Sequence, residues 1–193
     1  MRKHLTVVLI SLVSLSFCCP SCAPPPKEVS TAAAIDTPTA VQGKKNFFQA
    51  GRFYFAGQPD EETLQWLASE GVEVVINLRT DKEMETHTEE KFDEVALLKE
   101  LGMAYLHFPI GGKAGYSPQV VDTLAQVLKE HEGKILIHCL GAGRVSYLWI
   151  AYLVRYQGLS IDQAVDIGKK IKFRFPLEDL LGYPVSIQKK KEI

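Results

Sequence analysis

"ILIHCLGAGRVSYLWIAYLV", residues 135–154, joins two apolar runs through a short turn of small residues. The first run is short and rich in isoleucine and leucine, which is typical of a buried strand. The second run is longer and apolar on most faces, which predicts a buried helix. A thiol, Cys139, follows the first run, and a guanidinium, Arg144, precedes the second. The stretch therefore predicts a strand, a tight turn and a helix, with reactive side chains at the turn.

The same alternation extends along most of the chain. Short apolar runs that fit strands occupy residues 52–59, 72–78, 103–110 and 134–138. Segments with helical periodicity or helix-capping residues lie between them, and strands that alternate with helices predict an α/β fold. We expect a central, largely parallel sheet of about four to five strands with helices on both faces. Ligands of such sheets bind at the carboxyl ends of strands, which is where Cys139 is predicted to lie.

Several helix boundaries can be predicted from capping residues. Asp60 and Ser117 are expected N-caps, the latter with proline at the first helical position, and Ser160 with Gln163 has the pattern of a capping box. A further helix is expected over residues 88–101, where apolar residues recur at helical spacing.

The first 22 residues have the pattern of an export signal. Arg2 and Lys3 precede an apolar run that is too short to span a bilayer comfortably. A cysteine soon after such a run resembles a bacterial lipoprotein signal, in which that cysteine becomes the lipidated N-terminus. Cys22 is the first choice, Cys18 and Cys19 are alternatives, and a plain cleaved signal is the other possibility. We expect an exported protein, periplasmic or at the cell surface, held to a bacterial membrane by a lipid anchor.

Composition constrains the rest of the chain. Residues 23–45 are rich in proline, alanine and threonine, which predicts a flexible tether, so the folded domain is expected to cover residues 46–193. A formal net charge of -1 argues against a nucleic-acid partner, which would normally require a strongly basic domain. Cys139 is the only cysteine in the expected domain. Because exported proteins normally pair their cysteines, Cys139 is either an inert buried residue or a working thiol.

The turn after Cys139 is suited to hold a tetrahedral anion beside the thiol. Glycine and other small residues let successive backbone N–H groups converge, and the next helix directs its positive end at the same point. Arg144 adds a planar cation that can bind two oxygens, and the same positive field favours a thiolate. We predict Cys139 and Arg144 as catalytic residues. The predicted anion-binding residues are Leu140, Gly141, Ala142, Gly143 and Arg144.

Three neighbouring features can support the turn. His138 is expected to hold the turn by hydrogen bonds rather than to transfer protons. Ser146 either donates a hydrogen bond to the thiolate or is an ordinary residue of the first helical turn. The basic cluster at residues 169–174 either extends the positive field towards the turn or forms the solvated end of a helix.

The segment HCLGAGRVS, residues 138–146, resembles the signature loop of the cysteine-dependent protein tyrosine and dual-specificity phosphatases. The order of FYFAGQP, VEVVINLR, YLHFPI and ILIHCLGAGR over residues 50–157 is similar to the phosphatase-like domain found with bacterial beta-lactamase-like hydrolases. The resemblance implies that Cys139 attacks a phosphomonoester to form a phosphocysteine, while loop amides and Arg144 stabilise the equatorial oxygens. It implies neither a metal nor an organic cofactor.

Two features depart from that family's pattern. Four residues separate Cys139 from Arg144 where the phosphatase signature has five, and the shorter spacing also occurs in rhodanese sulfurtransferases and in the hydrolase-associated domain. The stretch at residues 109–118, where these phosphatases carry a general-acid aspartate, contains no carboxylate. The general acid is therefore unknown. Asp122 follows that stretch but is expected in a helix, and the speculative substitutes are Asp81, Glu83 and Glu85.

Three functions remain open at this point. The first is a phosphatase that acts on a phosphorylated or other tetrahedral-anion substrate. The second is a sulfurtransferase that carries a persulfide on Cys139. The third is a non-enzymatic anion-binding module on the membrane surface, with a degenerate active site.

Overall fold

The computed structural model describes residues 35–86, 92–111, 115–173 and 177–185. The predicted signal lies outside the described residues, as do Cys18, Cys19 and Cys22. Within the described part, no helix has both the length and the apolar character needed to cross a membrane.

Six strands form one central sheet in the described residues. They are β1 (Thr39–Ala40), β2 (Phe47–Ala50), β3 (Phe53–Ala56), β4 (Val72–Asn77), β5 (Ala104–His107) and β6 (Lys134–His138). Their order in the sheet is β1-β2-β3-β6-β4-β5. β3, β6, β4 and β5 run parallel, and β2 and β1 continue the sheet in antiparallel fashion. The predicted α/β fold with a largely parallel sheet is confirmed.

The sheet begins earlier in the chain than predicted. Thr39 pairs with Gln49 and Ala40 with Phe48, so part of the predicted tether belongs to the sheet. Both residues of β1 are exposed, and they are held by backbone pairing with β2 and by a hydrogen bond from the Thr39 hydroxyl to the Gln49 carbonyl at 3.5 Å. Such an edge strand needs no apolar side chains and therefore leaves no pattern in the sequence. The expected count of four to five strands and the expected start at Asn46 are both corrected by this pairing.

Helices account for most of the remaining described residues. They are α1 (Glu61–Ser69), α2 (Asp81–Thr86), α3 (Glu94–Glu100), α4 (Pro118–Glu130), α5 (Gly143–Tyr156), α6 (Ile161–Gly168) and α7 (Glu178–Leu181). The predicted N-cap Asp60 accepts a hydrogen bond from the Thr63 amide at 2.8 Å. The predicted capping box of Ser160 and Gln163 is also present. The helix expected over residues 88–101 is shorter than predicted where it is described: α3 begins at Glu94, after the N-cap Asp93, and ends at Glu100, while residues 87–91 lie outside the described residues.

Helices cover both faces of the sheet. Leu67 of α1 and Leu98 of α3 belong to one apolar core, which includes Val75 of β4. Leu124 of α4 and Leu148 of α5 belong to the second core, on the other face. Because the parallel strands are buried on both faces, their sequences are almost continuously apolar.

The four parallel strands end side by side. Ala56 pairs with His138, His138 with Asn77, and Asn77 with His107, and each of these residues is the last of its strand. The loops that follow these strands therefore meet at one edge of the sheet. Cys139 is the first residue beyond that edge on β6.

Candidate active site

The loop that follows β6 is held by the end of β3. The Cys139 amide donates to the Ala56 carbonyl at 3.3 Å, and the Gln58 amide donates to the Leu140 carbonyl at 3.3 Å. Gly57 and Gly141 form an isolated β-bridge, and a Cβ atom on Gly57 would lie 3.2 Å from the Leu140 carbonyl oxygen. Glycine at position 57 therefore allows the two backbones to approach closely.

One residue of the loop has a left-handed backbone, and it is Ala142 rather than a glycine. Its φ is 63°, whereas neither Gly141 nor Gly143 has a positive φ. A non-glycine residue in this region needs the surrounding structure to hold it there. Ala142 is also the N-cap of α5, and its side chain does not cap the helix. The first N–H groups of this 14-residue helix can therefore serve an anion in the loop.

Arg144, on the first turn of α5, is fixed by several acceptors from other elements. Its Nη1 donates to the carbonyls of Leu78 at 3.1 Å and Ile110 at 3.0 Å. Nη1 and Nη2 also donate to the two carboxylate oxygens of Glu83, each at 2.6 Å. Burial alone would lower the pKa of Arg144, but Glu83 and the neighbouring Cys139 raise it above its ordinary value. The guanidinium is thus a charged, positioned group beside the thiol.

Glu83 lies on the short helix α2, directly after the loop that leaves β4. Burial alone would raise its pKa, but hydrogen bonds from Arg144 and from the Thr80 amide, together with the charge of Arg144, lower the pKa from 4.5 to about 2. Glu83 is therefore ionised near neutral pH and orients Arg144. It is not a proton donor there, so this structure argues against Glu83 as the general acid.

We expect Glu83→Gln to lower thermal stability in a pH-dependent way. Because the folded-state pKa of Glu83 is lowered from 4.5 to about 2, its ionised form stabilises the fold above pH 4.5, and that contribution is lost as pH falls through about 2. The unfolding midpoint of the wild-type chain should exceed that of the variant at neutral pH, and the difference should shrink as the solution is acidified.

Thermal unfolding of both chains across this pH range measures the difference. Glu85→Gln, an exposed site on the same helix, is the matched control and should show no such trend. A constant difference between wild type and Glu83→Gln at all pH values would mean that the Arg144 pair does not stabilise the fold.

Behind the loop, buried polar side chains connect β6 to α3. His138 is fully buried, and its Nε2 lies 2.8 Å from Oε1 of Glu94. Gln58 donates to Glu94 at 3.0 Å and accepts from Arg79 at 2.8 Å. Burial alone would raise the pKa of Glu94, but His138, together with Gln58, lowers it below its ordinary value. His138 thus faces Glu94 within the protein interior.

The hydroxyl of Ser146 has a partner other than the thiol. Ser146 is fully buried, and its Oγ donates to the Gly168 carbonyl at the end of α6 at 2.9 Å. The bond ties the first turns of α5 to the end of α6. Of the two roles left open for Ser146, the structure therefore favours a structural contact over a hydrogen bond to the thiolate.

An open cavity of about 470 Å³ lies over the loop. Cys139, Gly141, Gly143 and Arg144, all predicted site residues, line it, whereas Leu140 lines a different cavity. Its other lining residues are Thr80, Glu83, Ile110, Gly111, Tyr116 and Lys172. Cys139 is a free thiol and is 1% exposed, so it forms the floor of the cavity.

The remaining candidate acids lie elsewhere. Asp81 has a side chain that is 81% exposed and 3.7 Å from His107. Asp122, in α4 as expected, accepts from Arg155 and Tyr156 at 2.6 Å, about three turns along α5 from Arg144. Among the described residues that line the cavity, Glu83 is the only carboxylate. The described residues also contain no cluster of three or more side chains suited to hold a metal ion.

A buried thiol and a fixed arginine thus lie at the two ends of a strand-to-helix loop, as the resemblance to cysteine-dependent phosphatases implies. The sequence profile of the family described as DSP-PTPase phosphatase fused to NAD+ kinase matches residues 24–174. The chain belongs to this family and is a cysteine-dependent enzyme of the protein-tyrosine-phosphatase type. The resemblance to tyrosine and dual-specificity phosphatases is thereby confirmed.

Solved structures agree with this assignment. Tk-PTP in its active form is 25% identical, with a TM-score of 0.52, over 63% of this chain and 80% of that one. A DUF442 protein from Shewanella putrefaciens CN-32 that is named a phosphatase is 26% identical, with a TM-score of 0.55, over 73% and 91% of the two chains. P. aeruginosa TpbA in complex with pTyr shares the fold at 19% identity, with a TM-score of 0.56 over 80% and 90%. No curated protein matches the chain.

Proposed function

We propose that the chain hydrolyses phosphomonoesters of the tyrosine or dual-specificity type through a phosphocysteine on Cys139. The observation that carries the proposal is the placement of this thiol on the floor of a cavity that Arg144 also lines. The Cys139 thiolate attacks phosphorus, and the bond to the leaving oxygen breaks. Water then attacks phosphorus, the S–P bond breaks, and inorganic phosphate leaves with the thiolate restored.

The groups around Cys139 have distinct roles in this proposal. Backbone N–H groups of the loop and of the first turn of α5 bind the equatorial oxygens, together with Arg144. Glu83 orients Arg144 and keeps it in place when the cavity is empty or occupied. His138 and Ser146 position the loop and do not transfer protons. No step requires a metal or an organic cofactor.

The rate of hydrolysis is expected to depend on the leaving group more strongly than in enzymes with a general acid. Residues 109–118 contain no carboxylate, and Glu83 is held ionised by Arg144. General acid catalysis typically contributes about 10²–10⁴-fold to the rate. Its absence therefore slows mainly the substrates whose leaving oxygen needs a proton. We expect kcat/KM for an aryl phosphate to exceed that for an alkyl phosphate by at least about a hundredfold.

Turnover of a series of phosphate esters tests both the function and this dependence. Para-nitrophenyl phosphate, phosphotyrosine and phenyl phosphate provide aryl leaving groups, and phosphoserine provides an alkyl one. Release of inorganic phosphate by the full chain is the measurement. Absence of turnover of every ester contradicts the proposed function, whereas equal rates with aryl and alkyl esters contradict only the absence of a general acid.

We further infer that the enzyme is exported and anchored by lipid at Cys22. The support is the apolar run after Arg2 and Lys3, followed by cysteines. Replacement of Cys22 by serine should release the full chain from the membrane fraction of a bacterial host, whereas serine at Cys18 or Cys19 should not. Release by either of those two replacements instead would move the anchor to that residue.

A further inference from the structure

Most polar side chains that line the cavity are already bound to protein groups. Thr80 donates to Glu83 at 3.0 Å, and Glu83 accepts from Arg144 through both carboxylate oxygens. Two donors differ from these. In the described part of the chain, neither the Tyr116 hydroxyl nor the Lys172 ammonium group has a hydrogen-bond or ion-pair partner, although both residues line the cavity. These two groups are therefore available to a ligand.

The backbone that carries Lys172 is well fixed. The Lys172 amide donates to the Gly168 carbonyl at 3.2 Å, and Ser146 donates to the same carbonyl at 2.9 Å. A Cβ atom on Gly168 would lie 2.1 Å from Ile150, so glycine is required for α6 to pack this closely on α5. Ile171, the preceding residue, is buried in the core. The Lys172 side chain therefore extends from a well-fixed backbone.

The Lys172 side chain extends over the loop. Its Nζ would lie 3.8 Å from a Cβ atom built on Gly141, which places the ammonium group above the middle of the loop. Arg144 approaches from the other end, where the carbonyls of Leu78 and Ile110 hold it. The cavity thus has two cations that come from different elements.

These two cations differ in how their charge is balanced. The charge of Arg144 is compensated by the bidentate ion pair with Glu83. The charge of Lys172 has no carboxylate partner among the described residues, and the side chain is half-buried. A cation that lines a cavity without a partner attracts an anion, and the loop amides and Arg144 already suffice to bind one phosphoryl group.

We propose that Lys172 is a specificity-determining residue that binds a second anionic group of the substrate. The inference rests on the proposed phosphatase function. The substrate class is then a phosphomonoester with a carboxylate or a further phosphate close to the scissile ester. A lysine is suited to this role because its ammonium group is a compact charge on a flexible stem, so it accepts anions in several positions.

Matched aryl phosphates test the role of Lys172. Phenyl phosphate has no second charge, whereas its 2-, 3- and 4-carboxyphenyl analogues carry one at increasing distance from the ester. We expect the full wild-type chain to have a lower KM for at least one carboxyphenyl phosphate than for phenyl phosphate. Lys172→Gln should raise that KM about fivefold relative to the KM of phenyl phosphate, as for the loss of one partly exposed ion pair.

Two further variants complete the design. Lys172→Arg keeps the charge and should retain the preference, which separates a lost charge from a disturbed fold. Lys169→Gln removes a nearby exposed lysine whose Nζ lies 3.4 Å from Asp166, and it should have no effect. The wild-type preference should also weaken as salt is added, because screening reduces attraction between exposed charges.

The possible results separate the inference from the function on which it rests. A preference that Lys172→Gln removes and Lys172→Arg keeps supports the inference. Equal KM values for charged and uncharged substrates in the wild type overturn it, and so does an equal loss on both substrates in Lys172→Gln, which would place the lysine on the phosphoryl group itself. Absence of turnover of all four esters would instead contradict the proposed phosphatase function.

Discussion

Replacement of Cys139 by serine is expected to lower kcat for para-nitrophenyl phosphate by at least about a thousandfold, as for other nucleophile replacements. A serine hydroxyl is not ionised at neutral pH, and it needs an adjacent base to act as a nucleophile. Among the described residues that line the cavity, the one carboxylate, Glu83, is bound by Arg144 and is therefore not available as that base. Steady-state release of para-nitrophenol by the full chain measures the loss.

If Cys139→Ser loses activity only because the nucleophile is missing, the variant should still bind phosphate. Loop amides and Arg144 are unchanged in Cys139→Ser, so phosphate should still raise the thermal unfolding midpoint, as any ligand of the folded state does. A variant that keeps a kcat within about tenfold of the wild type would exclude Cys139 as the nucleophile. A variant that loses both activity and the phosphate effect would show damage to the whole loop.

Replacement of Arg144 by lysine is the second change with a large expected effect. Lysine keeps the positive charge but cannot bind both oxygens of Glu83 and both backbone carbonyls from a planar fork. The charge would then no longer be held where negative charge develops on the phosphoryl oxygens. Loss of one such preorganised donor costs about 10²–10³ in kcat, and we expect a fall in that range.

Arg155→Lys is the matched control for this change. Arg155 lies near the other end of α5, and its Nη2 donates to Asp122 at 2.6 Å, so it shares helix and residue type but not the cavity. Its kcat should equal that of the wild type. A normal kcat in Arg144→Lys, measured beside this control, would show that the bidentate geometry at Glu83 has no part in the reaction.

The parallel half of the fold can be predicted from the sequence alone. Strands β3, β4, β5 and β6 are short apolar runs, and helical segments separate them, so their type and their places along the chain follow from periodicity. β1 and β2 are different. β1 has two exposed residues and leaves no apolar pattern, whereas the apolar residues of β2 lie only a two-residue turn before β3 and merge with its pattern. Their place in the sheet depends on backbone pairing, which the sequence does not show.

The candidate site divides in a similar way. Cys139 and Arg144 lie on one continuous turn, so their proximity follows from local structure. The partner of Arg144 does not, because Glu83 is far away in sequence and reaches Arg144 only since β4 is the neighbour of β6. The sequence signal that could have indicated Glu83 was its position just after the end of a buried strand. Lys172 lies in the predicted basic cluster, but only the packing of α6 on α5 places it over the loop.

The proposed covalent intermediate can be observed directly. The full chain is mixed with excess para-nitrophenyl phosphate, quenched within the first turnover, and its mass is measured intact and after digestion. We expect a mass gain of one phosphoryl group on the peptide that contains Cys139, and no gain in Cys139→Ser. Turnover without this gain, or with the phosphoryl group on another residue, would exclude Cys139 as the nucleophile.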